Sequence, residues 1–312
     1  MDIAQEEFAS EEVKKWDEFI KQIKKLSPSS EISDKWVYRG LTADRHKLAT
    51  TLERAREYFD IEWKDLPGVE EQLIRNYRRR FQWERDAELY NDILYCISIM
   101  QHHGAPTRLL DFTYSPYIGA FFALENSDNP PNKDTYKKPE DMPVLWCINK
   151  DWIEDIKIKD EVVKKIVNEL RSKRLYDENR NDITFKPMYM NNGPKKFVDI
   201  ENPLRLNTRL VIQQGTFLCP GDVTCPFEEN LKNLDNWNSS KNVLKIFLNF
   251  SKEERRTALH ELNRMNINHA SLFPGIDGYS RSMRQLIPIF EQMAKNKAGK
   301  GGPYKIKEKN CI

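Results

Sequence analysis

The sequence predicts an α+β fold, built as one domain with an N-terminal helical arm. Three observations carry that prediction. Apolar residues at helical spacing dominate the first half of the chain, and runs of β-formers dominate the second. The two do not alternate in the regular way that a parallel βαβ sheet requires. With 312 residues and 39% apolar content, the chain is long enough to bury a large core.

The elements follow in order. Phe8, Val13, Trp16, Phe19, Ile20 and Ile23 give a helical period over residues 8–26, and SPSSEISD breaks it. KWVYRG reads as a short strand. LPGVEEQLIRNYRRRFQWE and AELYNDILYCISIMQ read as helices, the second stopped by HHGAP. A buried helix over 116–125 is capped by Thr113 or Ser115, with Pro116 in its first turn. PVLWCIN is a strand buried on both faces. Residues 150–174 are helical, and 176–200 are irregular with β tendency. RLVIQQGTFLCPG (209–221) reads as one strand, with Gly215 marking a bulge. NVLKIFLNF is another strand, and SKEERRTALHELNRM is a helix with Ser251 and Glu254 at capping-box spacing. A last helix covers about 278–296.

Composition excludes several classes. No apolar run is long enough to cross a bilayer, and the acidic N-terminus is unlike a secretory signal. The five cysteines (Cys96, Cys147, Cys219, Cys225, Cys311) are odd in number and scattered, which argues against a disulfide framework or a zinc site. We expect no metal, no membrane and a cytoplasmic protein. Net charge is only +2, yet Arg75, Arg78, Arg79, Arg80 and Arg85 cluster, and six lysines populate residues 295–312. A solvated helix face with a basic, mobile tail explains both. Contact with nucleic acid is the alternative.

Chemistry concentrates in MQHHGAPTRLLDFTYSPYIGAFFAL, residues 100–124, and in two flanking pieces. Arg39 in Tyr38-Arg39-Gly40 ends an apolar strand, so its guanidinium needs an anion: Asp111 internally, or the carboxylate or phosphate of a ligand. Gly40 lets a ligand or another backbone come close. His102 and His103 are adjacent, a spacing that does not place both on one metal. Arg108 and Asp111, following Thr107, pair across a turn in one reading. Thr113, Tyr114 and Ser115 deliver three hydroxyls to a helix N-terminus, where anions bind, and capping accounts for one of them. Gln213 and Gln214 must face opposite sides of a strand, bonded to a neighbouring strand or to a ligand's ribose.

WVYRGL, VEEQLIRNYRRRF, MQHHGAPTRLLDFTYSPYIGAFFAL, RLVIQQGTFL and SLFPGIDGYSRSM together resemble the FRG domain family, named for its Phe/Tyr-Arg-Gly motif. That resemblance spans roughly residues 34–292. It implies an arm at 1–33, an FRG domain at 34–294 and the tail beyond. The motif order also resembles ADP-ribosyltransferases of the Arg–Ser–Glu type, which have a mixed or antiparallel β core with surrounding helices. This second resemblance implies NAD as substrate. It implies catalytic roles for Arg39, Asp111, Thr113 and Gln214. Dinucleotide contacts would come from Tyr38, Arg39, Gly40, His102, His103 and Thr107, and from Arg108, Tyr114, Ser115 and Gln213. One departure is serious. Where that class carries a catalytic Glu, this chain has Gln213, Gln214 or Gly215. An amide can hold a ribose hydroxyl but cannot stabilise an oxocarbenium-like charge. Asp111 is the first substitute carboxylate and Glu201 the second, unless the pocket only binds. The expected function is therefore ADP-ribosyl transfer to a macromolecule, with RNA as one acceptor, by a toxin or antiviral effector restrained by an inhibitory protein partner. A non-catalytic nucleotide or phosphate sensor and an RNA-binding protein are the alternatives.

Overall fold

The computed structural model describes residues 7–28, 35–80, 92–127, 136–159, 161–174, 181–190, 193 and 195–287. Arg85, Cys311 and the lysine-rich tail lie outside the described residues. Seven strands form one mixed sheet: β1 (Ser10–Val13), β2 (Trp36–Leu41), β3 (Leu110–Thr113), β4 (Val144–Asn149), β5 (Val198–Glu201), β6 (Gly215–Pro220) and β7 (Val243–Leu248). Their order is β1-β7-β4-β2-β3-β6-β5. Among the described residues only the β1–β7 pair is parallel. The fold is α+β.

Side-chain alternation divides the core between the two faces of this sheet. On β4, Val144, Trp146 and Ile148 join one apolar cluster with Val37, Leu110, Phe112 and Phe217. Leu145 and Cys147 join the other, with Trp36, Tyr38, Phe121, Leu244 and Ile246. The double burial expected for PVLWCIN is present, and helices cover both faces. Pro116–Leu124 packs on β2 so closely that a Cβ on Gly40 would lie 2.0 Å from the Gly119 carbonyl oxygen. Gly40 is therefore required by helix packing, whatever else it does.

Several expectations are corrected. Four of the seven strands precede residue 150, so strands are not confined to the second half. Residues 8–26 are not one helix: Ser10–Val13 pairs with β7, and the helix is Trp16–Leu26. The segment expected as an arm thus supplies a sheet edge. Its four residues are too few for periodicity to read, and the pairing partner decides their conformation. Residues 209–221 are not one strand either. Thr208–Ile212 is a helix capped by Asn207, whose side chain accepts from the Leu210 N–H. Gln214 then turns left-handed (φ 47°) and β6 begins at Gly215, without a bulge. Residues 181–189 are helical, within a stretch expected to be irregular. Of the helix expected over about 278–296, the described residues hold a helix at Ile276–Ser282 and a 3-10 turn at Met283–Leu286, and 288–296 of that span lie outside the described residues.

Candidate functional site

The site opens where the sheet splits. Between β2 and β3 the single registered pair is Tyr38 opposite Thr113. Beyond it the strands part, and the Arg39 guanidinium bridges the gap, Nη1 donating to the Asp111 backbone oxygen at 2.5 Å. The resulting cleft of about 280 Å³ is lined by Tyr38, Arg39, Gly40, Asp111, Phe112, Thr113, Phe122, Arg209, Gln213 and Phe273. A side recess continues past Asp111, Arg209 and Gln213 to Gln101 and His102. Three segments distant in sequence therefore meet on one space, because β2, β3 and β6 are consecutive neighbours in the sheet.

Charge in the cleft is unbalanced. The Arg39 Nε is buried with no hydrogen-bond partner. Burial pulls this guanidinium below its usual value, the Asp111 charge opposes that, and Arg54 adds to it. Arg209 makes no ion pair among the described residues and lies over the Phe273 ring, 5.4 Å from its centroid. Among the described residues Asp111 is the one carboxylate in the lining. Its Oδ2 accepts from Gln101 Nε2 at 2.9 Å, and Gln101 is itself fixed by Thr107 Oγ1 and Thr51 Oγ1. The carboxylate is thus oriented by an amide held from the far side. His102 is pushed below its usual value by burial and then by Arg209 and His103, which favours its neutral form.

The aromatic wall is also anchored. Phe122 and Phe273 meet edge to face at 6.1 Å. Behind Phe273 stands His269, 5.2 Å away ring to ring and in contact with the Glu125 carboxylate. Gln213 Nε2 donates to the Leu272 oxygen at 3.1 Å, tying the floor to this wall.

Of the expected site residues, the structure brings together Tyr38, Arg39, Gly40, Asp111, Thr113 and Gln213, with His102 in the recess. The others are placed elsewhere. Arg108 does not pair with Asp111: it is buried against Glu70, with Nε donating to Oε1 at 2.7 Å. The nearer carboxylate in sequence loses because Asp111 faces the cleft, while Arg108 points into the core. Thr107 is buried and donates to Gln101. Ser115 caps the helix Pro116–Leu124, accepting from the Ile118 N–H, and lines no part of the cleft. Tyr114 accepts from Asn202, and His103 is exposed at a helix end. Gln214 is exposed because its left-handed turn aims it outward, so Gln213 is the glutamine of the site. Even Thr113 uses its hydroxyl internally, donating to the Gln213 oxygen and accepting from the Ser115 N–H. Glu201 is buried, accepts from the Tyr189 hydroxyl and is absent from the lining, which removes it as the substitute carboxylate.

Sequence reasoning missed Gln101, Phe122, Arg209 and Phe273. Reading Asn207 as a helix cap would have moved Arg209 from a strand to a helix facing the cleft. Cysteine chemistry finds no support: burial pushes Cys96 up to about 11 and Cys225 up to about 12. Among the described residues no cluster suits a metal ion, and no helix is long and apolar enough to cross a membrane.

Residues 34–132 match the family model of the FRG domain, and this part of the chain is an FRG domain. No curated protein and no solved structure matches the chain. The matched span holds Arg39, Asp111, Thr113 and Phe122, whereas Arg209, Gln213 and Phe273 lie outside it.

Proposed function

Taking the FRG domain at residues 34–132 as the premise, we propose that the chain is an NAD-dependent ADP-ribosyltransferase acting on a macromolecule. One observation carries this reading. The strand bearing Arg39, the strand ending at Thr113 and the strand entered through Gln213 lie side by side and share one cleft. An ADP-ribosyltransferase-like core, expected from the motif order, requires that adjacency. In this reading Arg39 holds the dinucleotide's phosphates and Gln213 contacts the nicotinamide ribose. Asp111, oriented by Gln101, supplies the negative charge that a glutamate supplies in the related class. The bond between nicotinamide and the ribose C1′ breaks, and nicotinamide leaves with the bonding pair. The acceptor's nucleophile then bonds to C1′ and gives its proton to Asp111 or to water. The exposed Arg75, Arg79 and Arg80 on the helix Leu66–Arg80 support RNA as the acceptor. A toxin or antiviral effector of this kind would need an inhibitory partner.

Purified protein incubated with labelled NAD and cell extract tests it. Nicotinamide release, with label on RNA or protein, is the expected result, and Asp111→Asn abolishes both. Absence of release at high enzyme concentration contradicts the reading. A second reading, a non-catalytic nucleotide sensor, is favoured by the glutamine at the expected glutamate position and by the engagement of its amide with Leu272. That reading predicts nucleotide affinity that depends on Arg39, without turnover.

A further inference from the structure

We propose that Arg209 acts with Arg39 as a two-guanidinium clamp for a diphosphate, so that the cleft selects ligands carrying a nucleoside diphosphate. The proposal rests on the nucleotide-binding reading above and deepens it by naming the ligand class and a residue that sequence reasoning did not place in the site.

Three features of the cleft lead there. First, two arginines face one carboxylate. With Asp111 present, the cleft is short of negative charge, and a half-buried guanidinium left without an anion is costly. Second, neither arginine is satisfied by the protein. Arg39 donates to a single backbone oxygen and its Nε has no partner. Arg209 makes no ion pair among the described residues, and its guanidinium carbon lies over the Phe273 ring, 5.4 Å from the centroid. A cation held over a ring in this way engages no hydrogen-bond donor, so the guanidinium N–H groups remain available to an anion. Third, the two side chains enter from different elements, β2 and the helix Thr208–Ile212, and line the same volume. A carboxylate or monophosphate offers one anionic centre to this pair. A diphosphate offers one to each fork, in the bidentate mode that guanidinium favours. His102 beside Arg209 is held toward its neutral form and adds no competing charge. Phe122 and Phe273 supply the apolar wall that a nucleoside needs.

Calorimetric titration with ADP, AMP and adenosine tests this on the full chain and on Arg209→Ala and Arg209→Lys. The wild type binds ADP more tightly than AMP, and AMP more tightly than adenosine. Arg209→Ala weakens ADP by about 10–100-fold, the size expected for charged hydrogen bonds, while adenosine changes less than about threefold. Arg209→Lys recovers only part, because an ammonium cannot present the fork. A wild-type measurement needs no variant to fold: rising salt weakens ADP binding more steeply than adenosine binding. Equal affinity of ADP and adenosine, no binding of ADP, or unchanged ADP affinity in Arg209→Ala overturns the proposal. Failure to release nicotinamide with this ADP pattern intact refutes the transferase reading and leaves the clamp standing. Normal release with unchanged ADP affinity in Arg209→Ala refutes the clamp alone.

Discussion

Around Arg108 every part of the guanidinium finds an acceptor, whereas around Arg39 most of it does not. Arg108 meets both Glu70 carboxylate oxygens and the backbone oxygens of Tyr189 and Pro220. Burial alone would lower its pKa, but the Glu70 charge and hydrogen bonds outweigh that and hold it above the usual value. Arg39 has one backbone oxygen, an unpartnered Nε and a pKa held below the usual value, with burial as the leading cause. Arg39 lies on β2, and Arg108 lies two residues before β3, the neighbour of β2 in the sheet. In the proposed reading, the compensated charge belongs to the framework and the uncompensated one to the ligand site.

The largest effect should come from breaking the compensated side. Arg108→Ala strands Glu70 in the interior and should cost about 3–5 kcal/mol in thermal or denaturant unfolding. Arg108→Met with Glu70→Leu should recover much of that loss, since removing both partners leaves no buried charge. A double variant as unstable as the single one would break the comparison.

Glu53 extends the contrast to a carboxylate. It is buried, accepts from the Phe227 N–H, and is pushed up to about 8, chiefly by burial. The folded protein therefore keeps a proton that the unfolded chain releases above its ordinary value of 4.5. This contribution to stability is full below about pH 4.5, and is lost as pH rises toward 8. Glu53→Gln should flatten the stability profile over that window, as denaturant midpoints at several pH values would show. Smaller again is Ser115→Ala, which removes the cap of the helix Pro116–Leu124 and should cost about 1 kcal/mol without changing nucleotide affinity. Loss of affinity there would return Ser115 to the site.

Local chemistry made much of this legible. The strand at Trp36–Leu41, the doubly buried strand Val144–Asn149, and the caps at Ser115 and Ser251 all follow from short stretches of sequence. What stayed hidden depends on partners far away. β1 and β3 have four residues each, too short to carry a period, and exist because β7 and β6 pair with them. The Arg108 partner lies 38 residues upstream, and nothing in TRLLD points to it over the nearby Asp111. The choice between Gln213 and Gln214 turned on one left-handed residue. Arg209 was hidden by the same misread turn. The motif order predicts Arg39, the hydroxyls of Thr113–Ser115 and a glutamine in one cleft; Arg39, Thr113 and Gln213 line it, whereas Ser115 and Gln214 do not.

The central claim is that the uncompensated cleft, and not the compensated interior, binds the nucleotide. Equilibrium binding of NAD to the wild type and to Arg39→Ala, with melting temperatures measured on the same samples, tests it most directly. The account predicts saturable binding by the wild type and at least tenfold weaker binding by the variant, with the two melting temperatures nearly equal. Equal affinities, absence of saturable binding by the wild type, or a variant that unfolds as Arg108→Ala is expected to would contradict it.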